Sequence, residues 1–169
     1  MKKYEFTGET KQVGFFGNIT LKRIRATMEF GIIKIGDLGG WIEKEENLSH
    51  KGDAWVYGNA EVWGNAKVYG NAEVYGDAWV YGNAEVYGDA KVFSISHVLV
   101  VGPIGSRNDF TTFFRDKDSE ITVKCGCFLG KIDKFLEKVC ETHGDSKYAI
   151  VYRTAAEIAK QQIDLSEEN

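Results

Sequence analysis

Proline occurs once in this 169-residue chain, at Pro103, against nineteen glycines. Turns therefore fall to glycine, which reaches positive φ without steric cost. Cysteine is scarce and odd in number, at Cys125, Cys127 and Cys140, which argues against a disulfide framework and for a reducing compartment. No apolar run approaches the ~20 residues that span a bilayer. The polar start "MKKYEFTGETK" offers no signal-peptide core, so a cytoplasmic location is expected. There is no basic excess either: a net charge of -4 disfavours general binding to nucleic-acid backbones or anionic membranes.

What the chain has instead is a repeat. GDAWVY from Gly52 is followed without a break by GNAEVW, GNAKVY, GNAEVY, GDAWVY, GNAEVY and GDAKVF from Gly88. Gly followed by Asn or Asp is turn chemistry, and the remaining positions suit a short strand with alternate residues on one face. Alanine and valine point one way; the variable and aromatic residues point the other. Strands this short cannot bury a face alone, so successive copies must stack. The hexapeptide resembles the left-handed parallel β-helix family, in which three copies make one 18-residue triangular coil. That resemblance, and not the periodicity, supplies the handedness.

An 18-residue coil makes a checkable demand, because residues 18 apart become neighbours about 4.8 Å apart. In the variable slot this pairs Glu73 with Lys91 and Lys67 with Glu85, both of opposite charge. It also aligns Glu61, Trp79 and His97. In the aromatic slot it stacks Tyr57, Tyr75 and Phe93, then Trp63 and Tyr81, then Tyr69 and Tyr87. The fading copies "SISHVL" and "VVGPIG" extend the prism to about residue 105, giving about three coils.

The expected organisation is mainly β. An N-terminal strand cap spans 1–51, with Trp41 and Ile42 covering the first coil. The repeat prism spans 52–105, and a β-hairpin and two-helix module spans 106–169. The hairpin turns at Asp116 to Ser119 and sets Ile121, Val123, Cys125 and Cys127 on one face. "KIDKFLEKVCETHG" reads as a helix closed by Gly144, and Asp145 as the N-cap of a second helix. "SEEN" reads as a solvated tail.

The stretch "LGGWIEKEENLSHKGDAWVYGNA" and the close "GPIGSRNDFTTFFRDKD…VKCGCFLGKIDKFLEKVCETHGD…YAIVYRTAAEIAK" are similar to hexapeptide-repeat proteins of bacteriophages and prophages, and to bacterial proteins known only as putative transferases. The resemblance implies a bacterial or phage-infected cytoplasm and a homotrimer.

Four constellations bear on function. Rings at Trp55, Tyr57, Trp63, Tyr69, Tyr75, Trp79, Tyr81 and Tyr87 lie outside the Ala/Val core and read as an interface to other copies or a partner. The loop "GPIGSRNDFTT" offers Gly102 and Gly105 N–H groups, the hydroxyls of Ser106, Thr111 and Thr112, and the Arg107 fork, with Arg115 following. It reads as an anion site where prism and module meet, with a glycine-rich connector and an Arg107–Asp109 pair as the alternative. It lacks the spacing of a phosphate loop. His97 is the candidate base if the chain is a coenzyme A-dependent acyltransferase, as many hexapeptide enzymes are. Cys125, Cys127, Cys140 and His143 could satisfy a structural zinc, but each falls on an expected core face, so no metal is assigned. No cofactor is expected. The function expected is binding without catalysis: sequestration of a small anionic, nucleotide-like host signal in an anti-defence role. Partner-binding scaffold and acyltransferase are the alternatives.

Overall fold

Seven glycines open the seven hexapeptides, and from Gly52 to Gly88 all adopt positive φ, between 55° and 74°. Only glycine takes this conformation at every corner without strain, so the repeat is punctuated by backbone geometry. The structure, a computed structural model, describes residues 1–166; residues 167–169 of the expected tail lie outside the described residues. The chain is mainly β, with parallel strand sheets and two helices near the C-terminus. It divides into two units, Met1–Ile95 and Ser96–Asn169.

In the first unit, β1 (Tyr4–Val13) and β2 (Ile19–Ala26) form an antiparallel hairpin, and β3 (Leu38–Ile42) lies against β2. Seven two-residue strands follow: β4 (Trp55–Val56), β5 (Glu61–Val62), β6 (Lys67–Val68), β7 (Glu73–Val74), β8 (Trp79–Val80), β9 (Glu85–Val86) and β10 (Lys91–Val92). They return to the same sheet every third strand, in the orders β10-β7-β4, β3-β5-β8 and β6-β9. The pairing is parallel, and its register is the expected 18 residues, as in Glu73↔Lys91 and Lys67↔Glu85. Glu73 and Lys91 form an ion pair. Every repeat alanine from Ala54 to Ala90 and every repeat valine from Val56 to Val92 is buried.

The paired two-residue strands exchange N–H···O bonds in both directions, as parallel pairing requires, and the bonds that flank them run one way. N–H groups of one turn donate to carbonyls of the next, as in Trp55 N to Ala72 O (3.0 Å) and Glu73 N to Ala90 O (2.9 Å). The first turn faces no earlier turn, so carbonyls on its open edge need donors from outside the repeat. Main-chain groups of the preceding segment serve some of them: Trp41 N donates to Ala60 O (2.9 Å) and Ser49 N to Val68 O (2.9 Å). Side chains serve four others. Asn47 Nδ2 donates to Gly64 O (3.2 Å) and Ala66 O (2.8 Å), while its Oδ1 accepts from Lys44 N (2.9 Å). The Lys3 ammonium donates to Gly52 O (3.2 Å) and Ala54 O (2.6 Å) and lies over the Phe30 ring. Both side chains are buried.

In the second unit, β11 (Val98–Ile104), β12 (Asp109–Arg115), β13 (Ile121–Cys125) and β14 (Phe128–Lys131) form an antiparallel sheet in chain order. Helices α1 (Ile132–His143) and α2 (Lys147–Gln162) pack on it. Their core joins Phe113, Ile121 and Val123 of the sheet to Phe135, Val139, Tyr152 and the alanines of α2. Two expectations differ here. Residues 98–104, read as the fading end of the prism, pair antiparallel with β12, because β-branched residues at Val98, Val100 and Val101 favour a longer strand than the hexapeptide permits. Ser146, not Asp145, is the N-cap of α2. The turn after β12 is built on the buried Asp116 carboxylate, which accepts from Asp118 N, Glu120 N, Thr122 Oγ1 and Lys131 Nζ. Burial opposes its ionisation, yet these donors hold it below the usual carboxylate range.

Two tests follow from the capped first turn. Asn47→Ala removes the donor of two carbonyls and should lower stability by about 3 kcal/mol in urea titrations; a loss under about 1 kcal/mol would mean that water replaces the amide. Burial draws the Lys3 ammonium down to about 8 from its ordinary 10.5, with Asp53 pulling the other way. The unfolded chain thus holds more protons across that window, so the contribution of Lys3 rises with pH between the two values. Thermal melts of the wild type and Lys3→Met should diverge further at the alkaline end of the window than below it. A gap that narrows would contradict the buried ammonium.

Candidate functional site

Gly105 directly follows β11 with φ +72°, and a Cβ there would clash with the Tyr152 hydroxyl oxygen. The absence of a side chain lets Tyr152 of α2 reach under the loop that carries Ser106 and Arg107. Beside it the chain leaves a pocket of about 460 Å³. Phe128, Phe135, Val139 and Tyr152 give it apolar and aromatic walls, and His143 lies across Tyr152 with ring centroids 5.7 Å apart. Phe135 meets Tyr152 edge-on at 5.7 Å. Ser106, Arg107, Asp109, Lys138 and Thr142 supply the polar lining.

The charges at this pocket are unequally committed. Lys138 is tied to Glu141 on the next turn of α1, at 3.3 Å. Asp109 turns one carboxylate oxygen back to accept from Phe110 N at 2.8 Å. The anticipated Arg107–Asp109 pair does not form, and Arg107 has no ion pair among the described residues. Its guanidinium is exposed and runs beside Gly126. A free, planar five-donor fork over aromatic walls is chemistry suited to a carboxylate or phosphate on a ring-bearing molecule. Burial pushes the Tyr152 phenol up to about 12, reinforced by the Cys125 thiol and opposed by Arg107. Tyr152 therefore remains a neutral hydroxyl at physiological pH.

Only part of the expected anion loop converges here. Ser106 and Arg107 line the pocket and Gly105 makes room for its wall. Gly102 faces Phe110, which a Cβ would meet at 2.6 Å. Thr111, Thr112 and Arg115 do not line the pocket: all three are buried, Thr111 donating to Cys125 Sγ (3.2 Å) and Arg115 to Ser119 Oγ (2.8 Å). Burial explains this, since β12 is an inner strand of the sheet. The lining residues not singled out as a site are Asp109, Phe128, Phe135, Lys138, Val139, Thr142 and Tyr152. The available signal was on α1, where 135, 139 and 143 recur at helical spacing with 138 and 142 alongside.

The thiols also differ from expectation. Gly126 (φ +54°) and Cys127 form the two-residue turn between β13 and β14, so C-x-C spans a hairpin tip. Cys125 is half-buried at the pocket, while Cys127 and Cys140 are exposed instead of packed in the core. Among the described residues these thiols and His143 do not assemble as a metal quartet. The cluster that does assemble, Asp116, Asp118 and Glu120, surrounds the Lys131 ammonium.

In the first unit the aromatic ladder is as expected. Tyr57–Tyr75, Tyr75–Phe93, Trp63–Tyr81 and Tyr69–Tyr87 stack with centroids 4.4, 4.8, 4.9 and 4.3 Å apart. Trp79 and Tyr81 stay nearly half exposed. Trp55 is the exception among the interface candidates. It is buried against Tyr4 and Phe30, and Gly39 leaves it room, so the N-terminal segment already covers it. His97 does not continue the Glu61–Trp79 row. It lies buried in a short 3-10 helix, Ile95–His97, and that row's sheet ends at β8. Glu61 is paired with Lys11 instead (2.6 Å).

No family model matches this chain. An alignment of 62 positions, covering 34% of the chain, is 32% identical to the uncharacterized acetyltransferase YdcK of Escherichia coli strain K12. It covers 19% of that protein, so the chain spans about a fifth of the length of this relative.

The role of Gly105 is open to direct test. Gly105→Ala should cost about 3 kcal/mol, combining strain at positive φ with the clash on Tyr152. In denaturant titrations the double change Gly105→Ala, Tyr152→Ala should be less damaging than the sum of the two single changes. Additive losses would show that the two residues do not share this space.

Proposed function

We propose that this chain works by binding: a left-handed parallel β-helix of hexapeptide type whose C-terminal unit takes a small anionic, ring-bearing molecule of nucleotide class. The observation that carries this reading is the exposed Arg107 guanidinium, without an ion pair, above walls of Phe128, Phe135, His143 and Tyr152. A phosphate or carboxylate on the fork and a ring between the side chains would use both halves of the pocket at once. The biological setting we propose is that of a phage-type accessory protein withholding a nucleotide-like host signal. The half-exposed rings of Trp79 and Tyr81 support self-association as a trimer.

Acyl transfer from coenzyme A is the second reading, favoured by the similarity to a protein named as an acetyltransferase. Against it, His97 is buried, and substrate could reach it only after the surrounding segment moved.

Native mass spectrometry of protein purified from its host, followed by thermal shift with nucleotides, separates these readings. The expected result is a trimer retaining a small anion, stabilised by nucleotides in the wild type and at least ~10-fold weaker in binding for Arg107→Ala. A ligand-free trimer with no nucleotide shift would reject sequestration. A shift with acetyl-coenzyme A that disappears in His97→Asn would favour the enzyme.

A further inference from the structure

The first unit holds a second concavity, a groove of about 520 Å³ between the segment Glu45–His50 and strands β6 and β9. Its floor is apolar: Leu48 and Val68 bridge in parallel register and are both buried. Glu45, Glu46, Ser49 and His50 form one wall, and Lys67, Tyr69 and Glu85 the other. Tyr69 is backed by Tyr87 and donates to Glu85 Oε2 at 3.3 Å.

His50 is the unusual member. Its Nδ1 accepts the main-chain N–H of Lys3 at 3.1 Å, so in the neutral ring the proton sits on Nε2. The ring is stacked on Tyr4 at 4.3 Å, which fixes its orientation. Nε2 is buried and has no hydrogen-bond partner; the Glu45 carboxylate, at 3.7 Å, is too distant for one. Burial holds the imidazole below its ordinary pKa, with Glu45 opposing, so the N–H persists at neutral pH. A buried donor left unsatisfied in the wall of a groove costs stability that a bound acceptor would restore.

The charges define the remainder of the ligand. Three carboxylates, Glu45, Glu46 and Glu85, and one ammonium, Lys67, line the groove, and Lys2 neutralises Glu45 from outside. Glu46 has no ion-pair partner among the described residues. The lining is therefore net anionic and favours a cation, and Tyr69 supplies an aromatic face for it.

We infer that this groove is a binding site for a small amino alcohol of amino-sugar size. The ammonium meets Glu46 and Glu45, and a neighbouring hydroxyl oxygen accepts from His50 Nε2–H. The carbon skeleton lies over Leu48, Val68 and the Tyr69 ring. An ammonium alone leaves His50 unsatisfied, and a neutral sugar leaves Glu46 uncompensated. The groove selects for both groups on one molecule.

Titration of the full chain with glucosamine tests this, using calorimetry for affinity and proton–nitrogen NMR for the His50 Nε2–H signal. Glucosamine should bind with a saturable shift of that signal. Glucose and N-acetylglucosamine, which lack the ammonium, should bind at least ~10-fold more weakly. Putrescine, which has no hydroxyl, should leave the His50 signal in place. Glu46→Gln, at the groove rim, should weaken glucosamine by ~5-fold or more without moving the melting temperature. N-acetylglucosamine binding as well as glucosamine, or a His50 signal that stays still at saturating glucosamine, would overturn the assignment.

Discussion

Everything in the first unit depends on the open edge of a parallel coil. The first turn has no earlier turn to pair with, so it presents backbone groups, carbonyls among them, that need partners from outside the repeat. A stack of two-residue strands cannot leave such groups dry, because each buried, unpartnered acceptor costs on the order of 1–3 kcal/mol. The N-terminal segment is the answer to that deficit. It contributes main-chain N–H groups where β3 and Ser49 run parallel to the coil, and the side chains of Asn47 and Lys3 where they do not. Lysine is an expensive choice at a buried site, yet its three donors reach two carbonyls and the Phe30 face together.

The same constraint explains what the outer positions can do. With alanine and valine committed inward and glycine to the corners, the variable and aromatic slots are free of the core. Register at 18 residues then makes each slot a column. Charges alternate in sign along two of the columns, and rings stack along three, so neighbours in a column stabilise each other without involving the interior. The groove beside Tyr69 and Glu85 is one such column met by the N-terminal segment, where a backbone contact with Lys3 fixes the tautomer of His50.

How much of this could be read from the sequence follows from which interactions are local. The 18-residue register, the Glu73–Lys91 pairing and the ring stacks were legible, because spacing alone decides them. The cap was legible as a segment but not in its chemistry. Nothing near Lys3 in the sequence signals that it will meet Gly52 and Ala54 some fifty positions on. Trp55 looked like its neighbours in the aromatic and variable slots, and only the long-range approach of Tyr4 and Phe30 buries it. In the C-terminal unit the hairpin turn and both helices followed from local pattern. The pocket did not, because Gly105, Arg107 and Tyr152 come together only after α2 packs on β11. Thr111, Thr112 and Arg115 belonged with Arg107 by proximity in the chain, and burial in an inner strand keeps them out of the pocket lining.

The electrostatics of the two concavities sharpen what each can select. The chain as a whole is acidic, so its long-range field repels anions. That field is damped beyond ~8 Å at physiological ionic strength, so a ligand near Arg107 responds mainly to its immediate neighbours. Among those, Lys138 is partly neutralised by Glu141 and Asp109 is turned toward its own backbone. Selectivity there therefore rests on one guanidinium and its geometry, together with the fit of a ring to the aromatic walls. The groove of the first unit has the converse arrangement: its acidic lining agrees in sign with the whole molecule, so local charge favours a cation there. On the proposed readings, an anion at the first site is selected by shape, whereas a cation at the second is favoured by charge and discriminated by the single donor of His50.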